Sequence, residues 1–161
     1  MNKIYILPIN TDYYGFIKQA ASEKYNIEIN SLKMEKGEHG KPFFKDLPNF
    51  HFNVSHSGEL LVIAISQSAV GVDIEKKRKL NPKIAKRFHP QEIDYINSKP
   101  SESRFLEIWT KKEACLKYLG AGLSGGLDTF SVFEFSPTPK TFTHGEYYIS
   151  VCGQNEFEII K

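Results

Sequence analysis

This 161-residue chain has no long hydrophobic run. A membrane-crossing helix needs roughly 18 or more consecutive apolar residues, and no stretch approaches that. The segment Ile4-Tyr5-Ile6-Leu7 near the N-terminus is too short for a secretory signal, and no small-residue cleavage site follows it. Cysteine is scarce. Cys115 and Cys152 are the only two, far apart and without ligand spacing, so they read as free thiols in a reducing cytoplasm; one disulfide between them is the alternative. Charge of one sign is also lacking. A net charge of +2 gives no electrostatic case for nucleic acid as the main ligand. No repeat, low-complexity tract or long linker divides the chain, and there is no Gly-x-Ser-x-Gly elbow of a serine hydrolase. The expectation is a cytoplasmic protein, bound to neither membrane nor nucleic acid.

With 40% hydrophobic and 25% charged residues, the chain has the composition of an ordinary globular domain. Its 12 Phe and 8 Tyr suit a fold containing sheet. Lys3 to Ile9 reads as a strand, and Thr11 or Asp12 caps a helix running to about Tyr25. Glu35 to Lys45 reads as a loop. Asn49 to Val54 and Leu60 to Ser66 read as strands, and Gln67-Ser68 turns the second back into Val70 to Glu75 as a hairpin. Asn81-Pro82 opens a helix carrying Ile84 and Phe88, and Pro90 opens another. Ser101 or Ser103 caps a longer helix that stops at Gly120 and Gly122. Strands are expected again at Phe130 to Phe135, Tyr147 to Val151 and Phe157 to Ile160, with a turn at His144-Gly145. This order implies an α+β fold, helices packed against antiparallel sheet.

Within Gly71-Val72-Asp73-Ile74-Glu75, strand alternation puts Asp73 and Glu75 on one face. In the helix from Phe105 to Leu119, Phe105, Ile108, Trp109, Leu116 and Leu119 form an apolar stripe, and Glu113 falls on it. A carboxylate there costs several kcal/mol unless it is paired or holds a cation. Lys117, four residues on, allows an ordinary intrahelical ion pair with Glu113. Asp73 and Glu75 alone are equally consistent with solvated carboxylates. As a set, Asp73, Glu75 and Glu113 offer an oxygen cage for a hard divalent cation, above all Mg2+, with positions left for phosphate oxygens. Asn53-Val54-Ser55-His56-Ser57-Gly58 combines hydroxyls, an imidazole and a glycine that permit close approach to a phosphate. Gly40-Lys41-Pro42 offers a rigid turn and a cation; a plain surface turn is the alternative. Lys76-Lys77-Arg78-Lys79 is a basic run, read as a solvated face or as an attractor for an acidic partner.

Together these pieces resemble the 4′-phosphopantetheinyl transferases of the surfactin-synthetase-activating type. That family carries a Gly-hydrophobic-Asp-hydrophobic-Glu strand, matched by Gly71 to Glu75. Further on comes an aromatic residue followed by Lys-Glu-Ala and a lysine, matched by Trp109, Lys112-Glu113-Ala114 and Lys117. Its Gly-Lys-Pro, Phe-Asn-x-Ser-His-Ser-Gly, Arg-Phe-before-acid and Gly-x-Gly-Leu-Ser segments correspond to Gly40 to Pro42, Phe52 to Gly58, Arg87-Phe88 with Glu92, and Gly120 to Ser124. Each segment is weak alone; their joint order and spacing, from about Gly37 to Val132, are specific.

The resemblance implies transfer of the phosphopantetheine arm of coenzyme A to a serine of an apo acyl or peptidyl carrier protein, releasing adenosine 3′,5′-bisphosphate. It implies Mg2+ on Asp73, Glu75 and Glu113. It further implies coenzyme A contacts from Lys41, Ser55, His56 and Lys117, with Glu113 as the base and Lys117 as the fixed charge on the leaving group. The implied fold is a single domain of two similar halves, about 1–68 and 69–161. Because only 72 residues precede Asp73, the N-terminal half is expected to be reduced, and a homodimer or trimer would complete a shortened site. Ala121 stands where the family often has Lys. A different reading of the same chain is a non-catalytic relative that binds coenzyme A or a carrier without transferring anything. The resemblance spans fatty-acid, polyketide and nonribosomal peptide synthesis without choosing among them.

Overall fold

The computed structural model describes residues 2–37, 40–78, 82–99, 102–122, 126–154 and 156–161. Lys79 of the basic run, the caps Asn81 and Ser101, and Leu123-Ser124 lie outside them. The elements run β1 (Lys3–Pro8), α1 (Tyr13–Tyr25), β2 (Met34–Lys36), β3 (Pro42–Phe44), β4 (His51–Ser57), β5 (Leu60–Ser66) and β6 (Val70–Lys76). After these come α2 (Pro82–Ala85), α3 (Pro90–Ser98), α4 (Glu102–Leu119), β7 (Lys140–His144), β8 (Tyr147–Gly153) and β9 (Glu158–Ile160). The fold is α+β, as expected.

Two sheets stack face to face. One has the order β4-β5-β1-β9 and the other β6-β8-β7, with β2-β3 as a separate hairpin. Neighbouring strands are antiparallel except β1 and β9, which are parallel. Alternation sorts the side chains into layers. Ile4, Ile6, Val62 and Ala64 of the first sheet meet Val70, Val72, Ile74, Ile149 and Val151 of the second. The other face of the first sheet, with Leu61, Ile63 and Ile65, packs on Ile17 and Ala21 of α1. The other face of the second sheet takes α4, whose Thr110 hydroxyl lies 2.7 Å from that of Ser150 on β8.

Several expectations need correcting. Leu60 to Ser66 does not pair with Val70 to Glu75. β5 pairs with β4 and β1, while β6 pairs with β8, so the tight hairpin is β4–β5, closing at Gly58 with φ +56°. The loop at 35–45 contains the β2–β3 hairpin instead, with Gly40 left-handed at φ +78°. Phe130 to Phe135 forms turns rather than a strand. Its Phe130 and Val132 pack as irregular backbone into the cluster around Phe105 and Leu116, and the strand pairing with β8 is β7. Ser103 lies inside α4 rather than capping it. Asp12 does cap α1, accepting from the Gly15 amide at 3.1 Å. Leu119 is exposed instead of closing the apolar stripe. Cys115 and Cys152 are free thiols, both buried in one small cluster with Ala114.

Candidate active site

The site begins with Gly71. Val72 and Ile74 point into the layer between the sheets, so Gly71, Asp73 and Glu75 face α4. A Cβ on Gly71 would overlap the carbonyl oxygen of Ala114 and the amide nitrogen of Tyr118. Only hydrogen at this position lets the helix lie so close to β6. That approach brings Lys117 to Asp73, with Nζ 2.8 Å from Oδ1. Lys117 also donates to Ser55 Oγ at 2.9 Å and to the Val72 carbonyl at 3.1 Å. Its partner is thus Asp73 across the elements rather than Glu113 within the helix.

The edge of β4 meets β6 through side chains in place of a backbone ladder. Asn53 Oδ1 accepts from the Val72 amide at 2.8 Å. Ser55 donates to Asp73 Oδ1 at 2.8 Å. Ser57 accepts from the Lys76 amide at 3.0 Å and donates to Glu75 Oε2 at 3.3 Å. Period two in β4 thus places three short polar residues along one seam, and two of them hold the acidic residues of β6. Ser55 and His56 lie on opposite faces of the strand. Ser55 is buried against Asp73 and Lys117, whereas His56 is exposed to the cleft.

Glu75 is held as well by Trp109, whose Nε1 donates to Oε1 at 3.1 Å, and by Arg78 at 3.2 Å from Oε2. Among the described residues, two carboxylate oxygens are buried without a hydrogen-bond partner: Asp73 Oδ2 and Glu113 Oε1. Burial raises the Asp73 carboxyl, an effect that Lys117 opposes. Burial, then the neighbouring Asp73 charge, pushes Glu113 up to about 7, with Lys117 opposing and Glu75 adding. Asp73, Glu75 and Glu113 therefore feel one another. Among the described residues, no three acidic, histidine or cysteine side chains stand close enough to form a finished metal cage. The donor set is nonetheless all carboxylate oxygen, two of its atoms are buried without partners, and such a set fits a hard cation.

Beside this centre opens a cavity of about 430 Å3, lined by Lys117, Lys41, His56, Lys36, Tyr13 and Tyr14 among others. Lys41 Nζ donates to the carbonyls of Lys117 at 2.8 Å and Val70 at 3.0 Å. It thereby places a cation at the negative end of α4. Burial, and then Lys117, lower it to about 8. Gly120, at φ +69°, ends the helix there.

Lys112 and Glu92 behave differently. Both are fully buried, 2.9 Å apart. Glu92 also accepts from the Val132 and His89 amides, and Lys112 donates to the Phe130 carbonyl. This pair fastens α3 and the 130–132 segment to α4, a structural role that the motif match leaves unspecified. Sequence reading missed Asn53, Ser57 and the Trp109–Glu75 bond. The period-two run of short polar residues in β4 was the available signal for the first two.

An α+β scaffold in which buried carboxylates keep unpartnered oxygens near Lys117 of a lysine-lined cleft suits a polyanion and its counter-cation. Family models agree with that class. One described as the 4′-phosphopantetheinyl transferase superfamily matches residues 69–156, and one described as 4′-phosphopantetheinyl transferase, N-terminal, matches residues 15–68. The chain belongs to the 4′-phosphopantetheinyl transferase superfamily and is similar to its surfactin-activating type. It is 36% identical over 120 residues to 4′-phosphopantetheinyl transferase Sfp of Bacillus subtilis, covering 72% of this chain and 54% of the relative. It is 37% identical over 127 residues to the transferase gsp of Aneurinibacillus migulanus, covering 73% and 53%. To the human L-aminoadipate-semialdehyde dehydrogenase-phosphopantetheinyl transferase it is 31% identical over 150 residues, covering 82% and 48%. The chain spans about half the length of these relatives. Among the described residues, no helix is long and apolar enough to cross a membrane.

Proposed function

We propose that this protein transfers the 4′-phosphopantetheine group of coenzyme A to a serine of an apo acyl or peptidyl carrier protein in the cytoplasm. The observation that carries the reading is the pair of buried, unpartnered oxygens, Asp73 Oδ2 and Glu113 Oε1, near Lys117, which also lines a cationic cleft. Asp73, Glu75 and Glu113 would hold Mg2+. When bound, that ion neutralises charge on the diphosphate. Lys117 and Lys41 bind phosphate oxygens, and His56 on the cleft wall takes the 3′-phosphate. Ser55 and Ser57 keep Asp73 and Glu75 in position, so Ser55 serves the acidic centre and not the nucleotide.

The chemistry is one substitution at phosphorus. The carrier serine oxygen bonds to the phosphorus that bears pantetheine, and the bond from that phosphorus to the bridging oxygen of the diphosphate breaks. Adenosine 3′,5′-bisphosphate departs with the bond's electron pair. The serine proton goes to Glu113, the carboxylate that stands beside the reacting phosphate in this reading. Lys117 offsets charge building on the leaving group. Lys76, Lys77 and the exposed Arg87 supply positive charge for an acidic carrier surface.

Incubation with coenzyme A, Mg2+ and a panel of apo carriers, followed by mass spectrometry of the carrier, tests the reading. A gain of one phosphopantetheine that requires Mg2+ is expected. No gain with any carrier overturns it.

A further inference from the structure

Glu75 differs from the other two carboxylates of the acidic centre. Asp73 and Glu113 each keep one buried oxygen without a hydrogen-bond partner. Both oxygens of Glu75 are taken. Trp109 Nε1 donates to Oε1 at 3.1 Å, and Ser57 Oγ donates to Oε2 at 3.3 Å. Arg78 Nη2 straddles the carboxylate, 3.3 Å from Oε1 and 3.2 Å from Oε2. A carboxylate offers about four lone-pair positions, and these contacts fill them.

The three donors are not alike. Trp109 and Ser57 are half-buried members of α4 and β4. The Trp109 ring is further held by stacking on Phe88 and Phe105. Arg78 lies beyond the end of β6, and its side chain is 63% exposed against 16% for Glu75. Of the three it alone can leave without disturbing packed structure, and it alone brings a positive charge. A guanidinium and a divalent cation compete for the same oxygens and repel each other. We propose that Arg78 is an internal counter-ion that masks Glu75 and must be displaced before that carboxylate serves a metal, so that Arg78 weakens this chain's hold on the ion. This rests on the reading of Asp73, Glu75 and Glu113 as Mg2+ ligands and adds to it a residue that opposes them.

The test is Mn2+ titration without coenzyme A, at fixed ionic strength, followed by electron paramagnetic resonance. The proteins are wild type, Arg78→Ala and Lys77→Ala. Lys77 is the control: it is exposed, carries the same charge one residue earlier, and is not among the partners of Glu75. Mn2+ affinity should rise by about two- to fivefold in Arg78→Ala, the range that an exposed ion pair commands. It should change less in Lys77→Ala, whose charge acts only through screening solvent. Trp109, the single tryptophan of the chain, binds the same carboxylate and supplies a second readout. Its emission should shift on addition of Mg2+, with the midpoint at a lower concentration in Arg78→Ala than in wild type. Unchanged or weaker ion binding in Arg78→Ala would overturn the inference, the weaker result making Arg78 a support for Glu75 instead of a mask. An equal gain in both variants would also overturn it, by reducing the effect to general charge. Any of these results with a wild type that loads a carrier defeats this inference alone. A wild type that binds no ion and loads no carrier defeats the functional reading with it.

Discussion

Helix α4 carries two lysine–carboxylate pairs about one turn apart, and they differ in one respect. Lys112 and Glu92 are wholly buried and fully satisfied: Glu92 takes Lys112 and two backbone amides, and Lys112 adds a backbone carbonyl. Lys117 and Asp73 are also paired, yet Asp73 Oδ2 and its neighbour Glu113 Oε1 are left buried without a partner. A finished network holds elements together. An unfinished one, kept at a desolvation cost, is where a ligand is expected. Motif matching puts both lysines in the same short signature; only their partners tell a fastening from a reaction centre.

The contrast can be broken in several ways. Glu113→Ala should lower carrier loading by at least about a hundredfold with the melting temperature near wild type; near-normal loading would remove Glu113 from the chemistry. Glu92→Gln or Lys112→Met should do the reverse, destabilising the protein by about 3–5 kcal/mol in denaturant titration because one charge is stranded. Replacing both members with Met and Leu should recover most of that loss, and a double variant as weak as the singles would argue against a fastening role. Gly71→Ala forces backbone apart between β6 and α4, with an expected cost of about 3 kcal/mol and a larger fall in loading, since Lys117 and Glu113 move off Asp73.

The smallest effect concerns Lys41. Its folded pKa, about 8, lies below the ordinary lysine value of 10.5, so its charged form is disfavoured by folding. Stability should therefore rise between pH 8 and 10.5 and be lost again as pH falls through 8. The change is no more than about 3 kcal/mol, and Lys41→Met should flatten it. A wild-type curve as flat as that variant's would mean Lys41 is not desolvated.

The parts of the fold written in local pattern were legible. The cap at Asp12, the alternation through Gly71 to Glu75 and the helix ending at Gly120 all follow from nearest-neighbour chemistry. The partners of β5 and β6 were not legible. Val70 to Glu75 reads as the returning arm of a hairpin, but its apolar face closes the layer between two sheets, and that layer is a long-range choice. The aromatic residues of Phe130 to Phe135 have strand propensity, yet Phe130 and Val132 are used to cover α4. In the site, the placing of Asp73 and Glu75 on the one face of β6 that α4 covers could be anticipated from strand alternation. The close approach that requires Gly71 to lack a side chain, and the Asn53-Ser55-Ser57 seam, depend on contacts between distant elements that no local pattern records.

The central claim is that Asp73, Glu75 and Glu113 hold one divalent ion while Lys112 and Glu92 hold only the fold. Electron paramagnetic resonance titration of Mn2+, as a stand-in for Mg2+, in the presence of coenzyme A tests it directly. Wild type and a folded Glu92 variant should bind a single ion with equal affinity, and Asp73→Asn and Glu113→Gln should bind it far more weakly. Equal Mn2+ affinity in wild type and both of those carboxylate variants would contradict the account.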